Sequence, residues 1–419
     1  MKRFKFYDSP SYNMVVYVLC FLMILICLGF CSTCKTIFLT PVTSALNMSR
    51  SAFSVSDTFR FASAALVNAF FGTLVTRFGT KKLILSGLIL LIASMLLFAF
   101  STTLAGFYLA GAFLGAGFSW TTTSMVGSII RRRAVKNVGT VMGIVLAANG
   151  FGGTIATNLL TPIISSDVFG YKKAYVLIAL LIGVIFLLFL FLYADNGKTQ
   201  LSNDAKKTKN NTDFEGFSIK EILKQPYFYL FCCFIFFSCL ILQGFVTSYA
   251  SILQETGLSK SFITLMISVY TLTLAFSKIF CGWLYDKLGL KITVIICLVC
   301  GMVNVSALLI MGDSLFGKII AIISALLFAL SLPLETVMLP IYAGDICGLK
   351  SYNDVLGIFV SIAYVGMAVA PPIMNLFYDL LGNYTLGLIS FLILYVIITI
   401  VFIVSKNLSE KHKKQIERM

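Results

Sequence analysis

Histidine is almost missing from this chain: one residue in 419, His412, close to the C-terminal end. Charge is scarce as well. Charged residues make up 12% of the sequence, with only 17 Asp and Glu, where a soluble globular chain carries about 25%. A structural zinc ion takes four ligands, so with one histidine any such site would rest on cysteine. The 11 cysteines lie mostly within apolar runs. Cys31-Ser-Thr-Cys34 and Cys297-Leu-Val-Cys300 have the C-x-x-C spacing, but within long hydrophobic segments cysteine packs as a small apolar residue. No metal or other cofactor is therefore expected. The chain has no G-x-x-x-x-G-K-[ST] phosphate loop. No apolar segment pairs carboxylates in a reacting geometry, so an enzyme is not expected either.

What the chain has instead is apolar residues, 59% of the total, and a mean hydropathy of +0.96. A water-soluble fold of this size could not enclose so much apolar surface, so the expected solvent is a lipid bilayer. A crossing helix needs roughly 20 apolar residues. Runs of that kind lie near 13–35, 56–76, 82–101, 104–130, 138–164, 172–194, 226–253, 261–284, 291–312, 317–343, 352–378 and 385–405. The first has no small-residue cleavage site followed by a polar mature chain, and reads as a membrane helix rather than a signal peptide. The long polar interruption, residues 195–225, divides the runs six and six. The expected organisation is a six-helix bundle over 1–194, a linker over 195–225, a second bundle over 226–405 and a tail over 406–419.

The net charge of +15 would suggest nucleic acid on a soluble protein. Here its placement explains it. With both termini on one side, 24 Lys and Arg fall on that side and six, including Lys35 and Arg50, on the other. The positive-inside rule then puts both termini, the linker and the Arg131-Arg132-Arg133 cluster in the cytoplasm of a multi-pass inner or plasma membrane protein. No nucleic-acid partner is expected.

The two halves repeat. An offset of 210 residues aligns Ser49-Arg50-Ser51 with Ser259-Lys260-Ser261, and Phe70, Gly72, Leu74, Gly79 and Lys81 with Phe280, Gly282, Leu284, Gly289 and Lys291. Duplicated halves around a midplane site are a design of secondary transporters. The repeated stretch reads Gly72-Thr-Leu-Val-Thr76-Arg77-Phe-Gly79-Thr-Lys81 in the first copy. In the second it reads Gly282-Trp-Leu-Tyr-Asp286-Lys287-Leu-Gly289-Leu-Lys291. Its glycines predict close helix approach and positive φ, and its cations predict a turn facing the cytoplasm.

This motif, in a chain of six plus six apolar runs, resembles the G-x-x-x-D-[RK]-x-G-x-[RK] signature of the major facilitator superfamily. The resemblance covers essentially the whole chain. It implies an all-α integral membrane fold of twelve helices in two pseudo-symmetric bundles, a monomer, and alternating access to a central site. Gly72, Arg77, Gly79, Gly282, Asp286, Lys287 and Gly289 would form the gating motif. Thr76 departs from the pattern by replacing its aspartate.

Charged residues inside the hydrocarbon layer are costly and point to function. Lys278 lies eight residues before Asp286, roughly 12 Å into the membrane, and Glu335 ten residues before Asp345, roughly 15 Å in. Lys278-Ile-Phe-Cys-Gly282 with Asp286 resembles the corresponding segment of monocarboxylate transporters and oxalate:formate antiporters, where an arginine implicated in carboxylate recognition replaces the lysine. The aspartate that monocarboxylate transporters tend to carry one turn earlier is Leu274 here, and residues 352–378 lack the second cation of the oxalate carrier.

The expectation is a carrier of small organic anions, monocarboxylates first, by proton symport or anion exchange. Lys278 would receive the anion and Glu335 would balance its charge or take a proton. Trp120, Asn149, Tyr364 and Arg60 are further candidates to line the site. Competing readings remain open: Asp57 and Arg60 as an interfacial pair, Gly150–Gly153 as a packing surface, and Lys278 and Glu335 as a structural or proton-relay pair in a carrier of drugs or neutral solutes.

Overall fold

The computed structural model describes residues 10–33, 35–134, 136–167, 170–194, 216–312 and 314–416. Most of the expected linker, the first nine residues with Lys2, Arg3 and Lys5, Cys34 and Arg418 lie outside the described residues. Within them every regular element is helical.

Among the described residues ten helices are long and apolar enough to cross a membrane, and a bent pair, Ala52–Ala69 with Phe71–Phe78 at 62°, makes eleven. One of the ten, Ser261–Ile310, has 50 residues, roughly 75 Å at the helical rise and far more than one crossing needs. Gly289, at φ 77° and ψ 174°, breaks it in two. Counted this way there are twelve.

We label them in chain order. α1 runs through Pro10–Ile24, a π-helical stretch Leu25–Thr33 and Thr36–Ala45. α2 is Arg50–Ala69 with Phe71–Phe78, and α3 is Thr80–Phe100. α4 is Leu104–Thr121 with Thr123–Arg133, α5 is Val138–Ile164 and α6 is Gly170–Leu192. α7 is Pro226–Glu255, while α8 and α9 are the parts of Lys260–Ile310 before and after Gly289. α10 combines Leu315–Ser331, a 3-10 turn Leu332–Glu335 and Met338–Cys347; α11 is Tyr352–Leu381 and α12 is Thr385–Ile416.

The repeat is visible in three local structures at the 210-residue offset. Ser49 and Ser259 each accept the amide of the residue three further on, Ala52 and Phe262, and so cap α2 and α8. Such a cap is worth about 1 kcal/mol. Gly79 and Gly289 both take positive φ, 79° and 77°, the conformation that favours glycine. Thr122 breaks α4 where Leu332 begins the irregular turn of α10. Pro333 accounts for the second break, since proline supplies no amide to the ladder. At the first, the Thr122 hydroxyl donates to the Phe118 carbonyl of its own helix.

One end of the bundle carries Asp286, Arg131–Arg133 and the ends of the described chain; we call it the basic face. Two features there go beyond the expected linker and tail. Gly216–Gln225 is docked rather than free: Phe217 is buried, its amide donates to the Cys347 carbonyl, and its carbonyl accepts from the Ser351 hydroxyl. Residues 406–416, the described part of the expected tail, continue α12 as helix. There His412 stacks on Phe217 at 4.6 Å and shares a hydrogen bond with the Tyr227 hydroxyl, while Lys406 pairs with Asp345 at 2.5 Å.

Candidate functional site

Lys278 sits where α8 crosses α5. The crossing is made close by glycine: a Cβ on Gly143 would lie 2.3 Å from the Lys278 carbonyl oxygen, and one on Gly282 would lie 2.0 Å from that of Gly139. With the backbones this near, the lysine side chain is 2% exposed and its ammonium donates to the Leu146 carbonyl of α5 at 3.3 Å. Among the described residues it forms no ion pair. Asn149, one helical turn along α5, presents a buried Oδ1 that has no hydrogen-bond partner.

Glu335 ends the 3-10 turn of α10, and its Oε2 is likewise buried and unpartnered. It interacts electrostatically with Lys278 and with Tyr270, Tyr364 and Tyr395, without touching the lysine. The structural Lys278–Glu335 pair is thus absent as a direct contact. Tyr364 of α11 joins the halves. It meets the Thr122 side chain at the break of α4, lies 6.1 Å from the Phe61 ring, and feels the charge of Arg60.

Arg60 is held by its own half. Its Nε is 3.1 Å from Asp57 Oδ1, its Nη1 donates to Ser32 Oγ at 2.8 Å, and its guanidinium lies over the Phe61 ring. The Asp57–Arg60 pair therefore exists, but it has a third member. Lys35, expected among the outer loops, instead reaches Asp57 Oδ1 at 2.8 Å and donates to Ser56 Oγ, with Phe53 and Phe98 beneath it. Its side chain is 14% exposed. From the sequence alone Lys35 falls outside, because a lysine ending an apolar run looks like a loop lysine.

Trp120 is not brought to this group. It stacks on Phe71 at 5.6 Å and packs against Gly87 of α3, inside the first half. The Gly150–Gly153 stretch packs two ways: Gly150 against Ala275 of α8, and Gly152 against Leu25 and Gly29 in the π-helical part of α1.

The repeated motif is asymmetric in use. Asp286 accepts the Gly139 amide at 2.9 Å, the Thr140 amide at 2.7 Å and the Thr140 hydroxyl at 2.6 Å. It thereby caps α5 across the interface between halves and places negative charge at a positive helix end. Thr76 donates back to Gly72 and Thr73 of its own helix. The carboxylate at that crossing is Asp354, in the first turn of α11, lying against Gly72. Arg77 and Lys287 are exposed.

The sequence profile of the Major Facilitator Superfamily matches residues 19–250 and again 235–418. YcxA, an uncharacterized MFS-type transporter of Bacillus subtilis (strain 168), is 24% identical over 366 residues, covering 83% of this chain and 84% of its own. Among solved structures, E. coli FucP in its outward conformation has a TM-score of 0.70 at 14% identity, over 94% of this chain and 99% of its own. The human organic anion transporter MFSD10 has a TM-score of 0.67 at 15% identity, over 94% and 99%. At these identities the solved structures are alike in fold.

Proposed function

This chain belongs to the Major Facilitator Superfamily, a family of membrane carriers, and on that premise we propose that it carries small organic anions, monocarboxylates first. The observation that carries the proposal is Lys278: a cation 2% exposed, at the seam between halves, bonded to one backbone carbonyl and to no carboxylate. Glu335, the carboxylate that acts on it, does so without touching it. A buried charge so weakly compensated is costly, and an anionic substrate group would relieve that cost. The fold alone does not choose the cargo, since similar structures include carriers named for fucose and for organic anions.

In this reading the basic face is cytoplasmic, as the positive-inside rule favours, and it is closed by the Asp286 contacts to α5. The substrate enters from the opposite face and exchanges its carboxylate for the Leu146 carbonyl at Lys278. Asn149 and Tyr364 border it, and Glu335 balances charge or takes a proton. Rocking of the halves about the α5–α8 and α2–α11 crossings then exposes it to the cytoplasm.

The test is exchange of radiolabelled pyruvate, lactate, formate, acetate and oxalate by the purified protein in liposomes. Exchange of a carboxylate that Lys278→Gln abolishes, with insertion and thermal midpoint retained, is the expected result. If none exchanges, or if Lys278→Gln matches the wild type, the anion reading fails. Activity of Lys278→Gln on a neutral solute would favour the drug or neutral-solute carrier instead.

A further inference from the structure

A small pocket lies between the halves at the basic face. Arg131 of α4, Tyr285 of α8 and Tyr352 of α11 face it, with Val138, Met142 and Pro340 among its apolar walls. Five elements from both halves meet there.

Two donors at the pocket lack acceptors. The Arg131 Nε is buried without a hydrogen-bond partner. Tyr352 is 4% exposed, and its hydroxyl is also buried and unpartnered. A buried donor left unsatisfied costs about 1–3 kcal/mol, and more when charged. Two of the nearby carboxylates, Asp286 and Asp345, are committed elsewhere. Asp286 is taken up by the start of α5, and Asp345 pairs with Lys406 while its carbonyl accepts from Lys413. Asp354 lies against Gly72. The space is kept by two glycines. A Cβ on Gly344 would come within 3.2 Å of the Arg131 Nε, and one on Gly127 within 3.2 Å of the Tyr352 hydroxyl.

We propose that this pocket binds a monatomic anion, chloride in ordinary salt, and that the bound anion holds the basic face closed. Size excludes polyatomic anions: the cavity accepts a body of about one water molecule, which leaves no room for a carboxylate or phosphate group. Chloride, larger than water, enters only as the Arg131 and Tyr352 side chains draw back slightly. Charge favours an anion at the Tyr352 side, where the Arg131 and Arg132 guanidiniums act on the hydroxyl, while Asp345 and Asp286 oppose Arg131 at Tyr285. Its walls come from both halves, so parting them dismantles the site. A ligand bound only by the closed arrangement shifts the population toward it. The site is separate from Lys278, and this inference stands whether or not the cargo is a carboxylate.

The experiment compares sodium chloride, sodium bromide and sodium gluconate at fixed ionic strength on the purified full chain. Its readouts are the thermal midpoint and the anomalous scattering of crystals grown in bromide. The expected results are a saturable rise of the midpoint in both halides and not in gluconate, with a bromide peak between Arg131 and Tyr352. Tyr352→Phe should weaken the apparent halide affinity about five- to tenfold, and Arg131→Gln should abolish the response. Identical midpoints in all three salts with no peak would mean that the pocket holds water only. A peak without a halide-specific midpoint shift would mean an adventitious ion only. Either result overturns the proposal. Should Arg131→Gln fail to fold, the wild-type bromide peak and Tyr352→Phe still decide it.

Discussion

Lys278 is legible from sequence because a lysine eight residues inside an apolar helix has no cheap explanation. Its bond to Leu146 is not legible, since that depends on how closely α5 and α8 approach. The glycines that allow the approach can be tested individually. Gly282→Val would push a side chain into the Gly139 carbonyl, whose oxygen lies 2.0 Å from the added Cβ. Overpacking of this kind costs about 1–3 kcal/mol. The expected outcome is a lower thermal midpoint and solute exchange slowed at least tenfold in liposomes. Gly289→Ala offers a contrast. Nothing lies within 4 Å of its Cβ position, so its cost comes from the positive φ alone. It should lower the midpoint while leaving the α5–α8 crossing, and hence the exchange rate per folded molecule, close to normal.

Among the elements, α10 announced its break through Pro333, whereas the equivalent break in α4 falls in a run of threonines with no such signal. The extension of α12 was hidden for a related reason. Its sequence is charged, and Lys406 and His412 are engaged by Asp345 and Phe217, partners distant in the chain. The cap on α5 is the element with the clearest consequence. Asp286→Ala removes three bonds to a charged acceptor, and hydrogen bonds to charged groups contribute about 1.5–3 kcal/mol. Loss of one such bond alone should raise the population open at the basic face about ten- to a hundredfold, so at least that factor is expected. A cysteine at position 142, where Met142 is 1% exposed, reports this when the native cysteines are removed. Its labelling by a membrane-impermeant maleimide should accelerate by that factor, and an unchanged rate would show that the cap does not close the face.

For the molecule as a whole, twelve crossings and a repeated half were readable because hydropathy and the 210-residue offset act over tens of residues. The different fates of the two motif copies were not. Thr76 in place of aspartate signals only that one latch is missing, and Asp354 as the carboxylate at that crossing emerges from tertiary structure. Restoring the family residue should therefore fail at first. Thr76→Asp brings a second carboxylate toward Asp354 and is expected to destabilise the closed face. Thr76→Asp combined with Asp354→Asn should recover the wild-type midpoint and labelling rate. If the single variant is as stable as the wild type, the two positions do not share an environment.

The unequal seams also bear on the order of events in time. The α5–α8 edge is fastened by a carboxylate reaching from one half to the other. The α2–α11 edge relies on close backbone contact and one hydroxyl, Ser361, donating to the Ala65 carbonyl. If the halves part as proposed, the expected order is separation at the α2–α11 edge first and at Asp286 last, and cysteine cross-links across the two edges should lose efficiency in that order.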